Sequence, residues 1–210
     1  MLVRKADFTT TTRNRLLTFL GEVERQFSIP IQTINRDRKK LQQERNVERR
    51  QFYSSRVKRY REELERVAEL TGSSRRKFLW SGPFLQMPNT ARRANFAETR
   101  TYLYEGREVD RQTHLGLDLA STARAPVPAP NSGVVVLAGW MSLYGNAVVI
   151  DHGYGLLSLC GHLSTVDVPE GDRVSRGNII GSSGATGLAG GDHLHLEIFV
   201  HGQSVDPMEW

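Results

Sequence analysis

Apolar positions along the chain follow two different spacings. Between about Thr12 and Leu70 they recur every three or four residues, the repeat of one helix face. Leu16, Leu20, Val23 and Phe27 follow a threonine-rich stretch able to supply an N-cap, and Pro30 interrupts the run. A second segment extends from about Ile31 to Leu70, where Tyr53, Val57, Tyr60, Leu64 and Val67 form a narrow stripe. Thr71-Gly72-Ser73-Ser74 ends it, with Gly72 suited to the left-handed position after a helix. Beyond Pro83 the helical repeat is gone. Short apolar runs (Val134–Ala138, Ala147–Ile150, Leu156–Leu159, Asn178–Ile180 and Leu194–Val200) now alternate with turn-forming residues, the signature of hairpins. Tight turns are readable at Asn131-Ser132-Gly133, Tyr144-Gly145-Asn146, His152-Gly153-Tyr154-Gly155 and Glu170-Gly171-Asp172. The pattern predicts an α+β chain: a helical region over residues 1–77, read as a hairpin or short coiled coil, then a mostly antiparallel β domain over 78–210.

Within the last apolar run the polar positions raise a chemical question. Gly190–Val200 reads GGDHLHLEIFV, and side chains two apart share one face of a strand. His193, His195 and Glu197 therefore lie on one face, with Leu194, Leu196 and Ile198 on the other. Three adjacent ionisable groups in a core strand each carry a large desolvation cost unless partnered. Metal coordination is one chemistry that rewards them. Two further stretches set histidines beside glycines: His114-Leu115-Gly116-Leu117-Asp118, and Cys160-Gly161-His162-Leu163-Ser164. Zinc held without cysteine takes three His or carboxylate ligands and keeps a fourth position for water. His114, Asp118 and one member of the H-x-H pair meet that count, and spacing alone leaves open which of His193 and His195 it is. His162 and the other histidine are then candidates to orient or deprotonate the water, or to steady the oxyanion formed on attack at a carbonyl.

The ordered series HLGLD, YGNAVVIDHGYG, CGHLS, GDRVSRGNIIGSSGATG and GGDHLHLE closely resembles the lysostaphin-type (LytM) zinc metallopeptidases, from about Phe84 to the C-terminus. The resemblance implies a β domain of the lysostaphin, or duplicated hybrid motif, type. It implies a zinc-dependent endopeptidase that hydrolyses peptide bonds in peptidoglycan cross-links or stems. Carried over residue by residue, it makes His114, Asp118 and His195 the ligands of one zinc ion, and His162 and His193 the catalytic histidines. Two positions depart from the family pattern. Cys160 stands where an aromatic is common, and Asp192 replaces a proline often found before H-x-H. The glycine-rich Gly181–Gly191 segment resembles a loop lining the family's substrate groove, where an extended peptide backbone needs close approach. A non-catalytic relative that activates a cell-wall amidase is the alternative; such relatives usually lack ligands, whereas here all the motif positions are filled.

Other residues have plainer readings. Glu197 is expected to support a ligand or face solvent. His152 and His201 match no ligand position and read as turn or surface residues. Cys160 reads as a small apolar core group, and Tyr144 either hydrogen-bonds substrate or packs at its turn. Ala125–Pro130, APVPAP, reads as a stiff connection.

Composition narrows the function classes. The single cysteine among 210 residues excludes an intramolecular disulfide and a thiolate zinc cluster. No apolar run is long enough to span a bilayer, and no signal peptide is visible at the N-terminus. Residues 1–77 carry 20 Lys+Arg against 10 Asp+Glu, and residues 78–210 carry 8 against 13. The net charge of +5 thus belongs to the helical third. That basic helix is either a solvated hairpin or a surface for an anionic polymer or a membrane- or wall-associated partner. A third reading makes the chain a coiled-coil scaffold, with residues 1–77 reproducing its behaviour alone. No aromatic interleaving or zinc-finger spacing points to nucleic acid. The substrate implies a cell-envelope location, periplasmic or extracellular.

Overall fold

The computed structural model describes residues 62–63, 65–104 and 107–210. Among them are helical residues 62–63 and 65–72 and thirteen strands. The strands are β1 Ala91–Ala94, β2 Thr99–Tyr104, β3 Arg107–Thr113, β4 Leu117–Ala120, β5 Pro126–Pro128, β6 Gly133–Met141 and β7 Gly145–Gly153. They continue as β8 Leu156–Leu163, β9 Thr165–Val166, β10 Arg173–Val174, β11 Ile179–Ser182, β12 Leu194–Val200 and β13 Gln203–Val205. Every short apolar run singled out beyond Pro83 coincides with one of these strands, Asn178 alone falling just before β11. The helical pattern before residue 62, with its hairpin or coiled-coil reading, lies outside the described residues. No described helix is long and apolar enough to cross a membrane.

Among the described residues, those of 62–99 and 113–210 belong to one compact unit; those of 100–112 belong to another and contain most of a two-stranded ribbon, β2 with β3. The larger unit is built on an antiparallel sheet in the order β1-β4-β12-β8-β7-β6-β10, with β13 added beside β12. A small sheet, β5-β11-β9, stacks against it.

Alternation of side chains divides the large sheet into two apolar layers. Leu194 and Leu196 join Leu117, Leu119, Val148, Ile150 and Cys160 on one face, closed by Val127 and Ile180 of the small sheet. Leu157, Leu159, Val149, Ala147 and Phe199 form the second layer, covered by Val67 and Leu70 of the helix. Each such side chain contributes roughly 1.5–3 kcal/mol on burial, so removing the helix would strip a whole layer of its cover. The helix end is fastened by a buried carboxylate. Asp151 accepts the Ser74 hydroxyl at 2.6 Å, the Arg75 N–H at 3.1 Å and the Gly153 N–H at 2.9 Å.

Two expectations are corrected. His152 is wholly buried, because β7 runs through the expected turn and puts position 152 on the face of Val148 and Ile150. Its ring spans the Ser132 carbonyl at 2.8 Å and the Ser158 hydroxyl at 2.8 Å, edge-on to Phe84. Ala125–Pro130 is not merely a connection. Its centre is β5, which pairs with β11 at the edge of the small sheet, where missing proline N–H groups cost least.

Burial pushes the His152 imidazole down to about 4, against the opposing Ser132 hydrogen bond. The unfolded chain takes up this proton from about pH 6.5 downward, the folded chain only near pH 4. The stability from neutral His152 is thus present above pH 6.5 and lost as the pH falls to about 4, a change of roughly 3 kcal/mol. Urea unfolding of the natural sequence and of His152→Gln at pH 7 and pH 4.5 checks this. The variant should show a flatter pH dependence, and parallel profiles would reject the assignment.

Candidate metal centre

Strand register brings the separated motifs together. Asp118 of β4 pairs directly with His195 of β12 across the sheet, and both point to the face opposite Leu117, Leu119, Leu194 and Leu196. His114 precedes β4 and is held through its backbone: its N–H donates to the Glu98 carbonyl and its carbonyl accepts the Ala97 N–H. Between them Gly116 has a structural reason. A Cβ there would lie 2.5 Å from the Leu196 carbonyl oxygen and 2.8 Å from the His195 ring, so the glycine of H-x-G-x-D lets the ring sit against the backbone.

His114 Nε2, Asp118 Oδ1 and His195 Nδ1 converge: 2.9 Å from His114 to Asp118, 3.1 Å from His195 to Asp118, and 3.2 Å between the histidines. All three residues are buried. Ligands about 2.0–2.1 Å from a tetrahedral zinc ion stand about 3.3–3.4 Å apart, so the cluster needs to open by only a few tenths of an ångström. The donor chemistry, two imidazoles and a carboxylate, is that of a zinc site with an open position. Among the described residues this is the cluster able to hold an ion.

The outer nitrogens are also held, as ligand imidazoles require. His114 Nδ1 meets the Asn95 carbonyl at 2.9 Å, and His195 Nε2 meets Glu197 Oε2 at 3.2 Å. Glu197 is wholly buried; the same oxygen accepts the Tyr144 hydroxyl at 2.8 Å, and Oε1 accepts the Ser204 hydroxyl at 2.5 Å. Glu197 is thus turned inward behind His195 rather than to solvent, and Tyr144 is packed at its turn with its hydroxyl on Glu197. Period-two spacing places Glu197 on the right face, but nothing local in the sequence points to Asn95 or Ser204.

Charge in the cluster is tightly coupled. Burial alone would raise the Asp118 carboxyl, but hydrogen bonds from His114, His193 and His195 hold it far below the usual carboxylate range. Burial would likewise lower His195, yet Asp118 and Glu197 on its two nitrogens hold it up at about 9.

His162 and His193 close the group. Their rings are 4.8 Å apart, and His162 is 5.8 Å from the ring of His195. His162 sits near the end of β8 at φ 63°, a left-handed conformation that costs a non-glycine residue about 1–2 kcal/mol. Its Nδ1 donates to the Thr186 carbonyl at 2.9 Å, leaving the Nε2 lone pair for other work. Burial, reinforced by His195 and His193, pushes this imidazole down to about 3, so it is neutral at pH 7. His193 Nδ1 donates to the Gly191 carbonyl at 2.8 Å, while Nε2 lies 3.5 Å from Asp118 Oδ1. Cys160 takes no part: burial raises its thiol to about 12, which keeps it protonated.

Two features escaped the sequence reading. Asp192 is a clamp: Oδ1 accepts the Ser183 hydroxyl at 2.5 Å and Oδ2 the Arg124 N–H at 3.0 Å. The glycines of 181–191 also divide in purpose. A Cβ at Gly184 would meet the Ser164 nitrogen at 2.5 Å and one at Gly187 the Gly145 nitrogen at 2.3 Å, whereas Gly190 and Gly191 face open space. The former are required by the protein's own packing.

Residues 112–207 match the sequence profile of peptidase family M23. The chain is 42% identical over 95 residues to the DD-carboxypeptidase/endopeptidase Mpg of Neisseria meningitidis, covering 45% of this chain and 22% of that protein. It is 36% identical over 95 residues to the murein hydrolase activator EnvC of Escherichia coli, covering 45% of this chain and 23% of that one. A crystal structure of a zinc-containing peptidase from Vibrio cholerae superposes with a TM-score of 0.53 at 30% identity, over 64% of this chain and 40% of the other. The matched region thus spans about a fifth of the length of these curated relatives.

With His195 held at about 9, the metal-free ring carries a proton at pH 7 that an ion must displace. Zinc affinity should therefore rise with pH, about tenfold per unit between pH 6 and 8, and fall as the solution is acidified. Calorimetric titration in buffers of different ionisation enthalpy should record about one proton released per ion at pH 7. Release of none would remove His195 from the ligand set.

Proposed function

With residues 112–207 belonging to peptidase family M23, we propose that the chain is a zinc-dependent endopeptidase hydrolysing peptide bonds of peptidoglycan, in a cross-link or a stem peptide. The observation that carries this reading is the convergence of His114, Asp118 and His195 into a donor cluster with His162 and His193 beside it. In this reading His114, Asp118 and His195 hold the ion. When bound, zinc supplies Lewis acidity, polarising a carbonyl oxygen and bringing the pKa of water toward about 7.

The chain's own residues do the rest. His162, neutral and with Nδ1 engaged by the Thr186 carbonyl, presents Nε2 to take a proton from the attacking water and return it to the leaving amine. His193 has its Nδ1 on the Gly191 carbonyl and its Nε2 toward Asp118. Its place beside the donor cluster, 4.8 Å from the His162 ring, suits it to steady negative charge on the attacked carbonyl oxygen. The polymer sets the location as the cell envelope, and the basic region upstream would serve a membrane- or wall-associated partner.

A second reading has one specific support, the 36% identity to a murein hydrolase activator: the domain would bind and activate a cell-wall amidase without cutting anything itself. Digestion of purified sacculi by the full chain, with new ends identified by mass spectrometry, separates the two. The endopeptidase reading expects new peptide ends, their loss with a chelator and their return with zinc. His195→Ala should lose the metal, whereas His162→Ala should keep it and lose about 100-fold or more in kcat. A His162→Ala chain that digests like the natural one would place the chemistry elsewhere, and stimulation of an amidase without any new peptide end would favour the activator.

A further inference from the structure

The turn Ser142–Tyr144, a single turn of 3-10 helix joining β6 to β7, lacks a local cap. Met141 at the cap position makes no side-chain hydrogen bond to it, and methionine has no oxygen with which to accept one. Ser142 has φ 23° and Gly145 φ 66°, so the turn holds a strained shape for a non-glycine residue at its first position. A backbone N–H of the turn is satisfied from far away in sequence. The Leu143 N–H donates to Glu63 Oε1 at 2.9 Å, across 80 residues. Glu63 itself is buried, 7% exposed, one turn of helix before the core residue Val67.

This turn is where both halves of the site are anchored. Tyr144 donates its hydroxyl to Glu197 Oε2 at 2.8 Å, and that oxygen lies 3.2 Å from His195 Nε2. On its other side the Leu143 carbonyl accepts the Leu188 N–H at 2.8 Å. Two residues earlier in that loop, the Thr186 carbonyl accepts His162 Nδ1 at 2.9 Å. The Thr186 hydroxyl accepts the Asn146 N–H at 3.0 Å and donates to the Leu163 carbonyl at 2.8 Å, tying the loop to β7 and β8. One turn therefore sets the carboxylate behind a proposed metal ligand and the loop behind a proposed proton acceptor.

We propose that Glu63 is a positioning residue of the centre: by capping the Ser142–Tyr144 turn from the helix, it holds Tyr144 on Glu197, and Glu197 on His195, in the orientation that binds zinc. The role in catalysis rests on the endopeptidase reading; the role in metal binding does not. The helix is accordingly part of the working domain.

The test uses the full chain and reads zinc affinity by competition with a chromophoric chelator, alongside kcat and KM on a soluble peptidoglycan peptide. Outer partners of a metal ligand contribute about 10–100-fold in affinity. Tyr144→Phe, which removes the hydroxyl on Glu197, should weaken zinc about tenfold. Glu63→Ala should weaken it by about five- to tenfold and lower kcat more than it changes KM. Glu63→Gln, whose side-chain oxygen accepts the same N–H, should restore both to within about twofold. Glu63→Asp, which keeps the charge but withdraws the oxygen by one methylene, should behave as Ala does and replaces it should Ala not fold. Combined with Tyr144→Phe, the Glu63 substitution should add little to the loss, because both act on one contact. Natural zinc affinity in a folded Glu63→Ala or Glu63→Asp chain, no rescue by Gln, or full additivity with Tyr144→Phe would each overturn the proposal. A natural chain that binds zinc but cuts no peptide would overturn the endopeptidase reading and leave the zinc measurements to decide on Glu63.

Discussion

A carboxylate taken out of water needs a replacement for its hydration, and the β4–β12 pairing exists around that need. Asp118 is almost fully buried and answered by imidazoles on three sides, from His114, His193 and His195. A buried charge without such partners costs several kcal/mol, so the local sheet has little freedom to vary. The direct pairing of Asp118 with His195 is what the arrangement depends on. Sliding β12 by one residue would turn Leu194 and Leu196 onto Asp118 and bury His195 and Glu197 among leucines. Apolar burial and charge satisfaction thus select the same register, and each protects the other.

The same face of the sheet carries both the polar centre and an apolar layer. Along β12 the side changes character between Glu197, which faces His195, and Phe199, which lies in the layer beneath the helix. Tyr144 bridges the boundary, its ring in the apolar cluster and its hydroxyl on Glu197. An aromatic with one polar end suits such a seam. Packing that holds the helix in place and hydrogen bonding that orients a ligand are consequently continuous. Perturbing either is expected to reach the other without any large movement of backbone.

The strands were legible because alternation survives where one face is buried and the turns between them use Gly, Asn and Asp. The cluster was legible for a related reason: polar residues at even spacing in an apolar strand have no bland explanation, so His195 and Glu197 announce a buried partner. His152 was misread because Gly153-Tyr154-Gly155 looks like a loop, whereas pairing extends β7 through residue 152 and turns the ring inward. The prolines of Pro126–Pro128 suggested a linker because they remove donors, yet an edge strand tolerates that loss. The Glu63 contact was invisible in principle, since a carboxylate on a helix looks the same whether it meets water or caps a turn 80 residues away.

By itself the sequence determined the residue types: which positions alternate, where glycines and prolines mark turns, and which imidazoles and carboxylates are available to a metal. These follow from local chemistry and from the two-residue period of a strand, both readable along one dimension. Tertiary structure decided the pairings. It set Asp118 opposite His195, gave Nδ1 and Nε2 of that ring different partners, and turned His162 toward the centre at a left-handed backbone position. It also laid the helix over the second apolar layer. Those choices are made by register and by the closing of distant segments, whose free energies depend on which groups meet across space, and spacing along the chain does not record them.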